Sequence, residues 1–369
     1  MPGINIDPVA VTQTPYDIVK VTLAHYPNRS KLTVLQELHD FPFMNRWMDP
    51  SRRRTASGIA IAEDVVIDGN GSAKMVRPFE THVPNVNNVV AKLQVPWRGC
   101  QADWSLEKRE ILQNSGSQAK LTQLNKIVKV RRAAADLDLA NLLEGRAWQA
   151  PNSSSDDLNA HGVPYWLVPI TSAQVAASAG GNHIGANPTG FSDVGGIDAS
   201  ASKYALWKSY ADVWDNNTPT CTENDVRKMV RMHRRLKFRT PKNARDWESD
   251  AYSDFQGYLS EARLEAFEEK ARANNESLGA DLGKFSGQTT VRGTPLSWVE
   301  AIDDISTDPL VLINHRHWHV FCLEGDILEE TTVAPSTAQH RVVTTFVDLT
   351  FNIVTLNRRL AGGRIDYVA

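Results

Sequence analysis

The chain has 369 residues, of which 41% are hydrophobic and 22% charged, a composition typical of a globular protein. Its formal net charge of -3 gives no overall attraction to nucleic acid or anionic membranes, so any basic surface must be local. Three widely separated cysteines argue against a disulfide framework or a cysteine-based zinc site and favour a reducing cytoplasm. Without a basic region followed by an apolar run, or about eighteen consecutive apolar residues, we expect neither export nor a membrane-spanning helix.

The first fifty residues mix prolines, among them Pro8, Pro15, Pro27 and Pro42, with scattered apolar residues and one short helical candidate around 30–39. Such a segment could hardly bury a core of its own. The pattern predicts an N-terminal arm.

Two β-rich runs follow in SGIAIAEDVVIDGNGSAKMVRPFE, on either side of residues 68–71. Asp-Gly and Asn-Gly tolerate positive φ and favour hairpin turns, so the stretch predicts a long protruding hairpin that turns at 68–71. A phosphate-binding loop is the other use of such glycines. It would require a following Gly-Lys-Ser/Thr and a helix, and the sequence has neither at this place.

The most regular helix of the sequence begins at a capping box formed by Ser115 and Gln118 and runs to about Trp148. At about 1.5 Å per residue it would be roughly 45 Å long, a spine that needs a long partner. Its apolar face consists of Leu121, Leu124, Val128, Ala135, Leu139 and Leu142. Its charged side, which we expect to be solvated, consists of Lys126, Lys129, Arg131 and Arg132.

The middle of the chain is loop-rich from 151 to 196 and then predicts two helices. The first, CTENDVRKMVRMHRRLKF, is capped by Thr222 and Asp225 and has the apolar face Val226, Met229, Val230 and Leu236. Its cations are Arg227, Lys228, Arg231, Arg234, Arg235 and Lys237. These cations could contact nucleic-acid phosphates, although no motif that reads bases surrounds them. The alternative is that they pair with acidic side chains on a neighbouring subunit. YLSEARLEAFEEKARAN predicts the second helix.

The last third alternates in polarity and predicts two long strands, PLVLINHRHWHVFCLEGDILEE and HRVVTTFVDLTFNIVTLNRRL. In the second strand one face consists of Val343, Val347, Leu349, Phe351 and Ile353, and the other of Thr344, Asp348, Thr350 and Asn352. We expect this strand to lie beside the spine helix, because the two are the longest regular elements.

Three histidines, His315, His317 and His319, alternate in the first of these strands and would share one face. Imidazoles on one face can converge on zinc or iron. The cupin-like pattern also places a glutamate three or four intervening residues after the second histidine, where this chain has Phe321 and Cys322. We therefore interpret the stretch as a half-exposed strand with its histidines outward. A cupin-like metalloenzyme using these histidines is the alternative from another class; no other catalytic, cofactor-binding or metal residue is predicted, and we do not expect an enzyme.

The order of these elements resembles the major capsid proteins of tailed bacteriophages, whose Hong Kong ninety-seven type fold is shared with encapsulin shells. LQVPWRGCQADWSLEKREI and LANLLEGRAWQAP resemble the family's passage from hairpin to spine helix. GTPLSWVEAIDD, INHRHWHVF and QHRVVTTFVDLTFNIVTLNRRLAGG resemble its late axial strands and closing peripheral strand. The resemblance extends from about residue 50 onward, except over about 180–255.

The resemblance implies an α+β phage major capsid fold. Its parts would be an N-terminal arm (1–50), an extended hairpin loop with the lead-in to the spine (51–110), a peripheral domain with the spine helix (111–160), an axial domain with insertions (161–338) and a C-terminal return strand of the peripheral domain (339–369).

The resemblance also implies a structural protein without a reaction or a cofactor. Pentamers and hexamers would form an icosahedral head around double-stranded DNA, contacted without sequence preference, in a virion assembled in the host cytoplasm. A portal, a decoration protein and a scaffolding protein are the implied partners. No scaffolding segment precedes the arm, so we expect a separate scaffolding protein or none. An encapsulin-like nanocompartment, which would hold enzyme cargo, is the nearest alternative.

Overall fold

The structure is a computed structural model that describes residues 46–48, 52–67, 73–78, 89–113, 120–171, 174, 182–204, 206–216, 218–236, 254–273, 289–292, 294–333 and 340–367. Almost all of the predicted arm therefore lies outside the described residues. The predicted turn at 68–71, the capping box at 115–118 and Lys237 lie outside them as well.

The strands are β1 (Arg54–Ala56), β2 (Ala60–Val66), β3 (Val90–Pro96), β4 (Arg98–Glu107), β5 (Asn182–Ile184), β6 (Ser209–Val213), β7 (Phe255–Leu259), β8 (Thr290–Val291), β9 (Thr294–Trp298), β10 (Leu310–Asn314), β11 (Trp318–Val333), β12 (Val342–Thr355) and β13 (Gly362–Asp366). The α-helices are α1 (Lys108–Gln113), α2 (Lys120–Ala147), α3 (Val163–Trp166), α4 (Glu223–Arg235), α5 (Glu261–Ala273), α6 (Glu300–Asp303) and α7 (Arg358–Ala361). Short 3₁₀ turns lie at Ser202–Tyr204 and His315–His317.

Two sheets organise the described residues. A four-stranded sheet has the order β1-β11-β12-β4, and a seven-stranded sheet has the order β5-β6-β13-β10-β7-β9-β8. β12 lies in the first sheet, whereas β13 lies between β6 and β10 in the second. The end of the predicted return segment 339–369 therefore lies with strands of the predicted axial segment.

The spine helix α2 packs on the four-stranded sheet. Its 28 residues span about 42 Å at about 1.5 Å per residue. Val128 and Ala135 share an apolar cluster with Trp104 and Leu106 of β4 and with Val343 of β12. The predicted partnership of the spine with the last long strand is confirmed only in part, because α2 packs mainly on β4 and meets β12 in this cluster at Val343.

Two details of the spine prediction were wrong. Leu142 is 40% exposed, and Leu143 is buried instead, because burial repeats every four residues from Ala135 through Leu139. Arg132, expected in solvent, is buried, and its Nε lies 2.7 Å from a carboxylate oxygen of Glu330 on β11. Burial of the guanidinium is tolerated because a carboxylate pairs with it.

The predicted hairpin exists, but its second strand was assigned wrongly. β2 pairs antiparallel with β3, and the run at 73–78 forms no strand. Ile61 and Val65 on β2 and Leu93 and Val95 on β3 are buried on one shared face. That alternation fixes the register, because a strand partner must bury the same face.

The two faces of the seven-stranded sheet meet different neighbours. Leu310 and Leu312 face a cluster that contains residues of α4 and α5, whereas Val311 and Ile313 face the main core. The main core also contains residues of β11 and β12, so it joins the two sheets.

Helix α4 confirms the predicted cap, since Thr222 and Asp225 form a capping box. Its buried face was predicted only in part. Met229 and Leu236 are buried as expected, but Met232 and His233 are buried in place of Val226 and Val230. The buried face of the helix is therefore rotated around the helix axis relative to the predicted face.

Strand β12 confirms the predicted buried face, since all five residues predicted for that face are buried. Asn352, predicted on the polar face, is also buried. Its Nδ2 donates to the carbonyl oxygen of Pro96 at 2.8 Å, and its Oδ1 accepts from the backbone N–H of His161 at 2.9 Å. A buried amide that ties two segments together accounts for the departure from simple alternation.

Candidate assembly surfaces

The β2–β3 ribbon is fastened to the body at its base. Leu93 is buried in the main core, and the backbone N–H of Gln94 donates to the carbonyl oxygen of Gly195 at 2.9 Å. The N–H of Gly195 donates to Tyr165 Oη at 2.9 Å. Gly195 has a φ of 65°, and a Cβ there would lie 2.3 Å from Leu93 Cδ1. Only glycine permits this approach.

The outer face of the ribbon carries apolar side chains in solvent near the end of β2. Val66 and Val90 lie directly opposite each other and are 68% and 44% exposed. In the following segment Met75 is 99% exposed and Val76 is also exposed. We call these four residues the hairpin patch. Exposed apolar side chains grouped in one region of a chain are candidates for association with another surface.

Isolated two-stranded ribbons are marginally stable in water. Within the described part of the chain, β2 and β3 pair with each other and with no further strand. The ribbon's inner face is buried as far as Ile67, whereas Val66 and Val90 on its outer face are exposed, so a neighbouring surface would stabilise the ribbon by covering them.

The predicted arm enters the body at the junction between the two sheets. Trp47 stacks on Trp318 with ring centroids 5.2 Å apart, and its Nε1–H donates to His315 Nδ1 at 2.7 Å. Arg46 donates to Gln256, and Arg52 lies 2.7 Å from Asp254. The inner end of the arm is therefore held firmly.

The histidine triplet does not form the shared strand face that the sequence predicted. A 3₁₀ turn at His315–His317 separates β10 from β11, so only His319 lies in a strand. Burial lowers the pKa of His315 well below its ordinary value, which keeps the ring neutral. Its Nδ1 accepts from Trp47, so its Nε2–H donates to Tyr258 Oη at 2.8 Å.

Both ring nitrogens of His315 are thus used in hydrogen bonds, and neither is free to ligate a metal. Burial also lowers the pKa of His317, and burial followed by the nearby Arg54 lowers the pKa of His319 to about 4. Among the described residues, no three His, Cys, Asp or Glu side chains come together in a way that could hold a metal ion.

A groove of about 680 Å³ lies between the end of α2, β4 and β12. Its walls include Leu142, Leu158 and the thiol of Cys100. Burial, followed by the charge of Asp326, raises the pKa of Cys100 to about 12. The thiol is therefore protonated at neutral pH and is a poor nucleophile.

The predicted cations of α4 are not equivalent. Lys228 is largely buried and donates to the carbonyl oxygen of Val213 at 2.7 Å and to Asp215. Arg227, Arg234 and Arg235 are exposed, and Arg231 is half-buried.

No helix in the described ranges has the length and apolar character needed to cross a membrane.

No family model matches the sequence, and no curated protein is significantly similar to it. The fold, in contrast, is similar to solved capsid structures. The capsid asymmetric unit of cyanophage A-1(L) aligns with a TM-score of 0.59 at 13% identity, covering 89% of this chain and 93% of that chain. The capsid of an empty GTA particle aligns with a TM-score of 0.51 at 11% identity, covering 93% of this chain and 95% of that chain.

The holo-SrpI encapsulin complex from Synechococcus elongatus aligns with a TM-score of 0.47 at 12% identity, covering 94% of each chain, which is too distant to carry an argument. At such low identities the likeness establishes the fold alone. The α+β capsid fold that the sequence predicted is confirmed.

Proposed function

We propose that the chain is the major capsid protein of a tailed double-stranded DNA phage and functions by self-assembly as hexamers and pentamers in an icosahedral head. The hairpin patch carries the proposal. Val66 and Val90 lie on the outer face of an anchored ribbon and Met75 and Val76 follow in the next segment, and the described part of this chain, which has a capsid fold, leaves all four exposed. A sister molecule would cover them.

Repetition makes small contacts sufficient. A single patch of this size would form only a weak interface, since stable interfaces usually bury about 1,200 Å² or more. In a closed shell each subunit makes several heterologous contacts, and the hairpin and the arm each add one. We propose that the hairpin overlaps an adjacent subunit and that the arm runs across a neighbour.

The remaining expectations belong to the same proposal. The division into arm, hairpin, peripheral and axial parts follows the ranges predicted from the sequence, with β13 assigned to the axial part. The protein would reside in the virion after assembly in the host cytoplasm, with scaffolding, portal and decoration proteins as partners. Contact with packaged DNA would be independent of sequence and sensitive to salt.

A loop deletion tests the proposal. Removing residues 57–77 would also remove Ile61, Val65 and Ile67, which are buried, so a loss of shells could reflect unfolding. A sharper deletion removes 68–88 and joins Ile67 to Val89 by an Asn-Gly turn. The N–H of Ile67 already donates to the carbonyl oxygen of Val89 at 3.0 Å, as in a two-residue hairpin.

We expect the loop-deleted chain to remain folded and soluble and to form no shells, because it lacks Met75, Val76 and the distal loop. Negative-stain microscopy and circular dichroism provide the two readouts. Normal particles from this variant would contradict the proposed role of the hairpin. The contents of the particles distinguish a phage head from an encapsulin-like nanocompartment. Nuclease-protected DNA supports a phage head, whereas an enzyme cargo without DNA indicates a nanocompartment.

A further inference from the structure

Two helices on one face of the seven-stranded sheet carry opposite charges at the same spacing. In α4 the basic stripe consists of Arg227, Arg231, Arg234 and Arg235. In α5 the acidic stripe consists of Glu261, Glu265, Glu268 and Glu269. Both sets occupy positions i, i+4, i+7 and i+8, so each follows one side of its helix over about 12 Å.

Both stripes point away from the core. The inward sides of the helices bury Met229 and Met232 in α4 and Phe267 in α5. In each stripe three side chains are exposed and one is half-buried; the half-buried members are Arg231 and Glu268. The ion pair between Arg227 and Glu223 within α4 is 3.5 Å long and exposed on both sides, so it is weak.

The stripes lie toward opposite edges of the sheet. α4 packs on β6, and the carbonyl oxygen of Arg235 lies 3.4 Å from His183 Nε2 on β5. α5 packs on β9, and Glu268 accepts from Thr289 next to β8 at 3.2 Å. In the strand order, β6 and β9 are separated by β13, β10 and β7, or about 19 Å at a spacing of about 4.8 Å.

The N-terminus of α4 lies beside α5, because Arg263 donates to the carbonyl oxygen of Thr220 at 2.8 Å. From there α4 runs along β6: Lys228 donates to the carbonyl oxygen of Val213 at the end of that strand, and the last turn reaches His183 on β5, which pairs with Tyr210 near the start of β6. The basic stripe therefore lies on the β5–β6 side of the sheet along the length of α4.

The acidic edge has further features of an interface. Asp303 and Asp304 are exposed beside the start of α5, and Asp303 accepts from the backbone N–H of Glu261 at 2.9 Å. Trp298 is 43% exposed, and its Nε1–H donates to Asp303 at 2.7 Å. Tryptophan held by a hydrogen bond within a charged rim is a common anchor of protein interfaces.

We infer that the basic stripe of one subunit pairs with the acidic stripe of a second copy of this chain. The inference rests on the proposed function and specifies which surfaces meet within each ring. Complementary patches at opposite edges of one subunit form a head-to-tail contact, and such contacts close into rings. Complementary charge also steers association and fixes which edges meet.

Charge reversal tests the pairing. The first variant carries Arg227→Glu, Arg234→Glu and Arg235→Glu, and the second carries Glu261→Arg, Glu265→Arg and Glu269→Arg. All six positions are exposed, so both variants are expected to fold, which circular dichroism and thermal melting verify. Each variant alone would place like charges across every contact. We expect the yield of rings in sedimentation velocity, and of shells in microscopy, to fall at least tenfold.

Two combinations provide the rescue. One chain carrying all six substitutions restores opposite charges at every contact and should recover assembly to within about threefold of the parent. An equal mixture of the two single-set variants can alternate around a six-membered ring, whereas a five-membered ring always leaves one like-charged contact. The mixture should therefore recover hexamers and open sheets but not closed shells.

The outcomes are distinguishable. If the parent chain itself does not assemble, the proposed function fails and the pairing fails with it. If the parent assembles and the reversed variants assemble equally well, the pairing alone is overturned. Shells that form normally from the first variant but lose salt-sensitive DNA binding would assign the basic stripe to packaged DNA and overturn the pairing. Folded reversed variants that neither combination rescues would also overturn it.

Discussion

His161 shows how a single buried residue can make this fold sensitive to pH. Burial, followed by the positive charge of Arg98, lowers the pKa of His161 to about 3. Its Nδ1 accepts from Asn352 Nδ2 at 2.9 Å, a hydrogen bond that a protonated ring could not make. Burial similarly lowers the pKa of His183 and of His233 to about 4.

In the unfolded chain these histidines have a pKa near 6.5. As the pH falls from about 6.5 toward 3, the unfolded state takes up protons before the folded state does. The free energy of unfolding therefore falls with falling pH, by up to about 1.4 kcal/mol per pH unit for each such histidine. The stabilisation is fully present above about pH 7.

We predict that His161→Asn flattens this dependence. Asparagine does not titrate, and its Oδ1 can accept from Asn352 as Nδ1 does. Between pH 7.5 and 5 the loop-deleted chain should lose about 2 kcal/mol more than its His161→Asn derivative does, although the derivative starts less stable. Urea unfolding at the two pH values measures the difference. Parallel losses in both chains would show that His161 does not contribute.

At the scale of elements, we expect substitutions in the hairpin patch to affect shell assembly while leaving the stability of the folded chain nearly unchanged. We predict that Val66→Asp combined with Val90→Lys changes the free energy of unfolding of the loop-deleted chain by no more than about 1 kcal/mol, because both sites are exposed and opposite charges face each other across the ribbon. The same pair of substitutions in the full chain should abolish shells, because it places charges in an apolar contact.

Val66→Ile with Val90→Ile provides the matched control, since it keeps the patch apolar and β-branched. Shell yields by microscopy should stay near those of the parent in the control and fall in the charged variant. Equal yields from the two variants would show that Val66 and Val90 are not part of the assembly surface.

The hairpin also shows what the sequence could predict at this scale and what it could not. The alternation of Ile61 and Val65 predicted a strand correctly. Asp-Gly and Asn-Gly then suggested the nearest run as its partner, although the alternation of Leu93 and Val95 matches the buried face better. The burial of Trp47 could not be predicted from the residues around it, because its partners His315 and Trp318 are more than 260 positions away in the sequence.

At the scale of the whole molecule, the order of elements predicted the capsid fold, and the expected pairing of the long helix with the last long strand placed α2 on the correct sheet. The strand order of the second sheet was not predictable, because the C-terminal strand β13 enters between β6 and β10 from a distant part of the sequence. The charges of α4 and α5 were visible in the sequence. Their placement toward opposite edges depends on that strand order.

The described residues thus form a continuous core that joins two sheets, a ribbon whose inner face is buried in that core, and a segment held at the junction by Trp47. We propose that the exposed outer face of the ribbon gains stability when another surface covers it, since burial of apolar side chains offsets the conformational entropy lost on ordering.

Sedimentation velocity of the purified full chain at tens of micromolar, with microscopy of the same sample, tests this account most directly. We predict capsid-sized closed particles or rings in which Val66, Met75 and Val90 are protected from surface labelling. A compact monomer at that concentration, with the same side chains covered by its own arm and loop, would contradict it.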